Sequence, residues 1–326
     1  MVKKRFIRLA GFKKVVLVGI GLALGLISVE ALGSGKNGFD LTVHKVPLGE
    51  IISGGPPRDG IPAILNPVLI PAKDATFLRD EDRVLGIAQG KDVRAYPVKI
   101  LNWHEVVNDT VAGKPVVITY CPLCGTGIGF DGLIEGRTYT FGVSGLLYQS
   151  DLLMYDHQTE SLWSQIAMEA VTGSMAGQKL RHLFLEHTTW GEWRRTHPET
   201  QVLSTKTGFF RDYNRDPYLG YGQRVDLMFP TQNMDSRFHP KAWVVGLEVG
   251  GIAKAYAFVE LQKGSGVVRD EVNGRPIIVR FNKEARTASV ADPTGQPIPS
   301  VMAYWFAWYA FHPNTQVFVA EKPDQD

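Results

Sequence analysis

The chain has 326 residues, 44% of them hydrophobic and 21% charged, with a formal net charge of +2. That balance excludes a long disordered chain and supplies enough apolar sequence for one large core or two smaller ones. The basic excess sits at the N-terminus: residues 1–31 hold six Lys/Arg and Glu30, which turns the whole-chain +2 into −3 for the remainder and leaves no basic surplus for nucleic acid.

The first element in chain order is that N-terminus. Lys3, Lys4, Arg5, Arg8, Lys13 and Lys14 precede an apolar run, "VVLVGIGLALGLIS", at residues 15–28, and small residues follow at Ala31, Gly33 and Ser34. The order predicts an export signal over residues 1–31, or an uncleaved membrane anchor. The run is shorter than the roughly 20 residues of a comfortable membrane span. Either form places the rest of the chain in a periplasmic or extracellular compartment, with the membrane met only through this segment. Outside the cytoplasm, two neighbouring thiols oxidise unless a metal or a reducing partner intervenes.

Residues 32–82 are expected to be extended, Pro/Gly-rich chain. The stretch "SGGPPRDGIPAILNPVLIPAK", residues 53–73, carries five prolines and opposes a helix.

Repetition begins at residue 83. "RVLGIAQGKDVRAYPVKIL", residues 83–101, matches "WVVGLEVGGIAKAYAFVEL", residues 243–261; each reads as strand, glycine turn, strand. "DTVAGKPVVITY", residues 109–120, matches "DEVNGRPIIVRF", residues 270–281, as a turn leading into a buried strand. "WGEWRRTHPETQVL", residues 190–203, matches "WFAWYAFHPNTQVF", residues 305–318, and Thr189 with Glu192 forms a capping-box pattern before the first of these helices. The expectation is a β-rich α+β fold of two internally duplicated halves packed as one unit, with short helices near 97–108, 190–197 and 301–311. Copy one spans 83–205 with an insertion inside 132–189, a connecting segment spans 206–242, and copy two spans 243–326.

The duplication serves as an internal control. His197 and His312 share a slot before proline at a helix end, which suits the last carbonyls and the helix dipole. Asp109 and Asp270 match before a turn, and the paired tryptophans read as core. Cys121 and Cys124, the two cysteines of the chain, align instead with Asn282 and Ala285, and His104 and Glu105 face glycine or serine. The thiols, the imidazole and the carboxylate are absent together from copy two, which marks them as candidates for chemistry.

The cysteines lie in "TYCPLCGTGIGFD", residues 119–131. A redox C-x-x-C places its first cysteine at a helix N-terminus. Here Gly125, Gly127 and Gly129 oppose a helix, and "IGFD" resumes a strand. C-P-x-C-G between strands suits a metal-binding knuckle, which needs further ligands because only one knuckle is present. His104 is the first expected third ligand. Met154, Met168 and Met175, three of seven methionines, lie in or near the insertion and suit a soft ion. Asp151, Asp156 and His157 add oxygen or nitrogen donors. The ligand set expected is Cys121, Cys124, His104, Met154, Asp156 and Glu105, holding a single zinc or copper ion.

Several stretches together resemble the family catalogued as domain of unknown function 3179: "GGPPRDGIPAI", "VLGIAQGKDVRAYPVKILNWHEVVND", "TYCPLCGTGIGFD", "FGVSGLLYQSDLLMYD", "TESLWSQ" and "YWFAWYAFHPNT". The resemblance covers about residues 50–320. It implies that His104, Glu105, Asn108, Cys121, Cys124 and Asp156 occupy the family's characteristic polar positions. His157 departs from the arginine of that slot and is left out of the ligands. The resemblance implies no mechanism.

No Ser/His/Asp arrangement, zincin helix or phosphate loop is present in the sequence, so hydrolysis and a nucleotide cofactor are not expected. The leading expectation is an extracytoplasmic metal-binding protein that handles or senses copper or zinc. A thiol–disulfide oxidoreductase working through Cys121 and Cys124 on a non-thioredoxin fold is the alternative. A non-catalytic binding module with a structural disulfide is the third. The protein partner or small ligand is left open.

Overall fold

Glycine turns and β-branched runs set the local structure. Arg83–Gln89 and Asp92–Pro97 form a hairpin across Gly90, and Trp243–Val249 and Ile252–Ala257 form another across Gly250 and Gly251. All three glycines have positive φ, as a two-residue hairpin turn requires. The structure, a computed structural model, describes residues 35–321, so the export signal expected over 1–31 lies outside the described residues. Among the described residues, no helix is long and apolar enough to cross a membrane.

Five larger sheets stand in a propeller-like arrangement. One carries Glu186–Thr189, the hairpin Arg83–Gln89/Asp92–Pro97, Gln201–Leu203 and Leu69–Pro71. The next carries His182–Leu183, Thr126–Asp131, Lys114–Cys121 and Val106–Val111. A third runs Glu169–Ala170, Leu162–Ser164, Asp151–Asp156, Phe141–Tyr148 and Ile51–Ser53. The fourth carries Val301–Tyr304, Trp243–Val249, Ile252–Ala257 and Gln316–Val317, and the fifth Val267–Val272, Arg275–Asn282 and Thr287–Ala291.

This corrects the expected α+β fold of two duplicated halves. The helices Val98–Leu101, Trp190–Thr196, Phe258–Leu261 and Trp305–Phe311 are four to seven residues long and form no layer; they join strands. The segment read as an insertion supplies four strands of the third sheet, and the Pro/Gly-rich segment adds Ile51–Ser53 to its edge. A stretch this apolar cannot lie as a surface loop; its backbone pairs and its side chains make a core. The organising unit is therefore the sheet.

Local geometry explains the shared Trp-His-Pro-Thr pattern. Trp193 and Trp308 each donate an indole N–H to Thr200 and Thr315 at 3.0 Å. Each stacks on the following histidine, His197 or His312, with ring centroids 4.0 Å apart. Each also lies against a glycine, Gly86 or Gly246, where a Cβ would enter the ring. Asp109 and Asp270 do not serve turns. They accept from the Tyr96 and Tyr256 hydroxyls at 2.7 and 2.8 Å and pair with Arg94 and Lys254.

Two sheets meet at the cysteines. Asn108, on Val106–Val111, accepts from the Phe141 N–H at 2.7 Å and donates to the Phe141 carbonyl at 2.8 Å, tying its sheet to the strand Phe141–Tyr148. A large apolar cluster that includes Val143, Leu147, Met154 and Trp163 surrounds Cys121 and Cys124.

Candidate metal centre

Lys114–Cys121 and Thr126–Asp131 pair antiparallel, with Cys121 opposite Thr126, so Pro122–Gly125 form the turn. The glycine-rich sequence thus makes a knuckle between strands. The Cys124 N–H donates to the Cys121 carbonyl at 3.2 Å, and the Cys124 carbonyl accepts from Tyr304 N–H at 2.8 Å, anchoring the turn to the fourth sheet. Gly125 closes it at φ +63°, and its missing Cβ leaves room for the rings of Trp243 and Tyr304.

Asp151 comes from the neighbouring sheet. It starts the strand Asp151–Asp156, opposite Tyr148. The intervening turn, Gln149-Ser150, holds two non-glycine residues at φ +53° and +64°. A turn with both central residues left-handed normally uses Asn-Gly. Here contacts fix the strained pair: Gln149 donates to Glu50 at 2.6 Å and accepts from the Gln232 N–H at 2.8 Å, and the Ser150 hydroxyl donates to the Phe229 carbonyl at 3.2 Å. The Ser150 carbonyl accepts from the Cys124 thiol at 3.4 Å.

The result is a cluster of ligand atoms from Cys121, Cys124 and Asp151, all within 4.8 Å of one another and all buried, which could hold a metal ion. Asp151 Oδ2 accepts from the Ile166 N–H at 3.0 Å, whereas Oδ1 is buried without a hydrogen-bond partner. Burial pushes the Asp151 carboxyl up to about 7 against the opposing pull of its hydrogen bonds. Burial also pushes both thiols up, Cys124 furthest. A cation among these groups would reverse that logic, since it favours their charged forms. Two sulfurs and one carboxylate oxygen suit zinc, with a fourth position left for another donor.

The other expected ligands are placed differently. His104 is fully buried but away from the thiols: Nδ1 donates to the Pro62 carbonyl and Nε2 accepts from the Tyr213 hydroxyl, each at 2.7 Å. With both ring nitrogens engaged, it braces the chain. Asp156 lies at the far end of the Asp151 strand. It accepts from Trp163 Nε1 at 2.8 Å and from the Thr159 N–H and hydroxyl, which makes it the anchor of the 156–161 turn. Met154 is buried in the apolar cluster that contains the cysteines. The Met175 sulfur accepts from the Tyr139 hydroxyl at 3.8 Å, and His157 bonds Thr140 at an exposed edge.

Glu105 is close to the centre without belonging to the three-residue group. It follows the helix Val98–Leu101 at φ +56°, donates its N–H to Leu101 and accepts at its carbonyl from Tyr120, the residue before Cys121. Burial, reinforced by the Asp151 carboxyl, pushes its own carboxyl up to about 8. A cavity of about 210 Å³ opens beside it. A larger cleft, about 630 Å³, is lined by Lys179, His182, Glu248, Arg275 and His312 and contains none of the cluster residues.

Asp151 was legible only as one polar residue of several in "SDLLMYDHQ". The sharper signal was its place directly after a two-residue turn between two apolar strands, which sends its side chain to a sheet end.

The family model described as Protein of unknown function (DUF3179) matches residues 58–315. No curated protein and no solved structure matches the chain.

Proposed function

The chain belongs to the DUF3179 family, and we propose that it is an extracytoplasmic metal-binding protein whose ion, zinc in preference to copper, sits on Cys121, Cys124 and Asp151. The observation that carries this reading is the convergence of three acidic donors from two sheets, with Asp151 Oδ1 buried and unpartnered. The two thiols are weak donors that leave this oxygen poorly compensated, and an ion would satisfy it. The carboxylate favours zinc over copper(I), which prefers sulfur throughout. The basic-apolar-small pattern of residues 1–34 supports export.

The dithiol alternative gains less support. A redox cysteine is activated by a helix N-terminus or a nearby cation, and here both thiols are buried at a hairpin turn and pushed up by burial.

The test is metal analysis of the full-length protein purified without chelator, with free thiols counted on the same sample. About one zinc per chain, lost in both Cys121→Ser and Asp151→Asn, is the expected result. Metal-free protein that stays metal-free after incubation with zinc or copper(I), yet exchanges its thiols readily, would overturn it in favour of redox chemistry.

A further inference from the structure

We infer that the cavity beside Glu105 is a binding site for a small, uncharged, largely apolar molecule bearing one hydroxyl group, with Glu105 as the residue that recognises it. The cavity measures about 210 Å³ and is walled by Leu123, Leu152, Tyr218, Met228 and Phe229, with Glu105 its one titratable carboxyl. An apolar cavity of about 150 Å³ holds benzene, so this one admits a ligand of that size or slightly larger.

Three features single out Glu105. It lines the cavity together with Tyr218, and its carboxyl interacts electrostatically with both Tyr218 and the buried Asp151. That carboxyl makes no hydrogen bond among the described residues, although Glu105 is only 7% exposed. Its backbone is left-handed, φ +56°, where the matching position of the fifth sheet is Gly266 at φ +83°. The match is structural: the Phe281 N–H donates to the Gly266 carbonyl as the Tyr120 N–H does to Glu105. A glutamate held in a glycine slot, buried and unpartnered, marks a place where the fold carries strain to present a polar group.

A hydroxyl complements this group in either protonation state, because it can donate to a carboxylate and can accept from the acid. The apolar walls exclude a strongly hydrated ligand. Met228 is exposed while also lining the cavity, which places it at the mouth. The inference does not depend on an ion at the thiols.

Titration of the full-length protein with cyclopentanol, cyclopentane and cyclopentylammonium, followed by ligand-observed NMR, tests it. Cyclopentanol is expected to bind about fivefold more tightly than cyclopentane. Glu105→Leu should erase that preference while keeping cyclopentane binding, and Glu105→Gln should retain it. Met228→Trp, which leaves Glu105 intact, should block all three probes. Preference for cyclopentylammonium, equal binding of alcohol and alkane, or no binding to wild type overturns the inference. Zinc content measured in the same samples separates its failure from that of the metal reading.

Discussion

Asp151 and Cys124 meet across two sheets, with ligand atoms no more than 4.8 Å apart, although each belongs to a different hairpin. In the metal-free protein this relationship is unfavourable to charge. Burial moves the Asp151 carboxyl from its ordinary 3.8 to about 7. An acid raised on folding leaves the native state holding the extra proton between those two values. Stability is then full below about pH 4 and is lost as pH rises towards 7, by about 4 kcal/mol. Chelator-treated Asp151→Asn should therefore be more stable than chelator-treated wild type at pH 8, with the gap closing near pH 4. Urea denaturation at the two pH values measures it; a pH-independent gap contradicts the assignment.

Loaded protein should behave in the opposite sense. Protons compete with the ion for Asp151 and both thiols, so zinc retention should fall as pH drops below about 7. Zinc release followed with a chromogenic chelator between pH 8 and pH 5 checks this. Retention unchanged to pH 5 would exclude Asp151 as a ligand.

His104→Ala separates bracing from ligation. It removes the partner of the Pro62 carbonyl and one of two partners of the Tyr213 hydroxyl, which Thr207 also meets at 2.6 Å. The expected cost is about 2–4 kcal/mol of stability with zinc content per folded chain unchanged. Loss of zinc from a variant that remains folded would return His104 to the ligand set.

Glu105→Gly should stabilise the protein by about 1 kcal/mol, the reverse of an ordinary glycine substitution, because it relieves a left-handed backbone. Equilibrium denaturation near neutral pH decides the sign. A loss of stability would show that no strain is stored at this position.

Gly86→Ala and Gly246→Ala should each cost about 1–3 kcal/mol, since the added methyl enters the ring of Trp193 or Trp308. Thermal unfolding of both variants provides the measurement. Tolerance of both would mean that the two indoles can shift, and that their hydrogen bonds to Thr200 and Thr315 do not fix them.

How far the sequence reached depended on the distance over which each feature is determined. The knuckle was legible because proline, glycine and flanking strands act within a few residues of Cys121 and Cys124. The Arg83–Gln89 and Trp243–Val249 hairpins were legible for the same reason. The sheet count was not, because "FGVSGLLYQSDLLMYD" reads equally as an insertion or as two strands until its pairing with Ile51–Ser53 is known. The hydrogen bonds of His104 are not legible in the sequence, because its partners lie 42 and 109 residues away in the chain. Asp151 does not stand out in the sequence, because its proximity to the thiols depends on how two sheets stack, and side-chain alternation within one strand carries no information about that.

The turn that presents Asp151 is tied down by Phe229 and Gln232. A chain that has emerged only to the end of Gln201–Leu203 therefore already owns both thiols and the acid, but not the two backbone groups that hold the acid's turn in its left-handed shape. Vectorial synthesis thus separates possession of the donors from their convergence. A single cut between Leu203 and Phe229 would sever the covalent link that delivers the fastening while leaving every donor on one fragment.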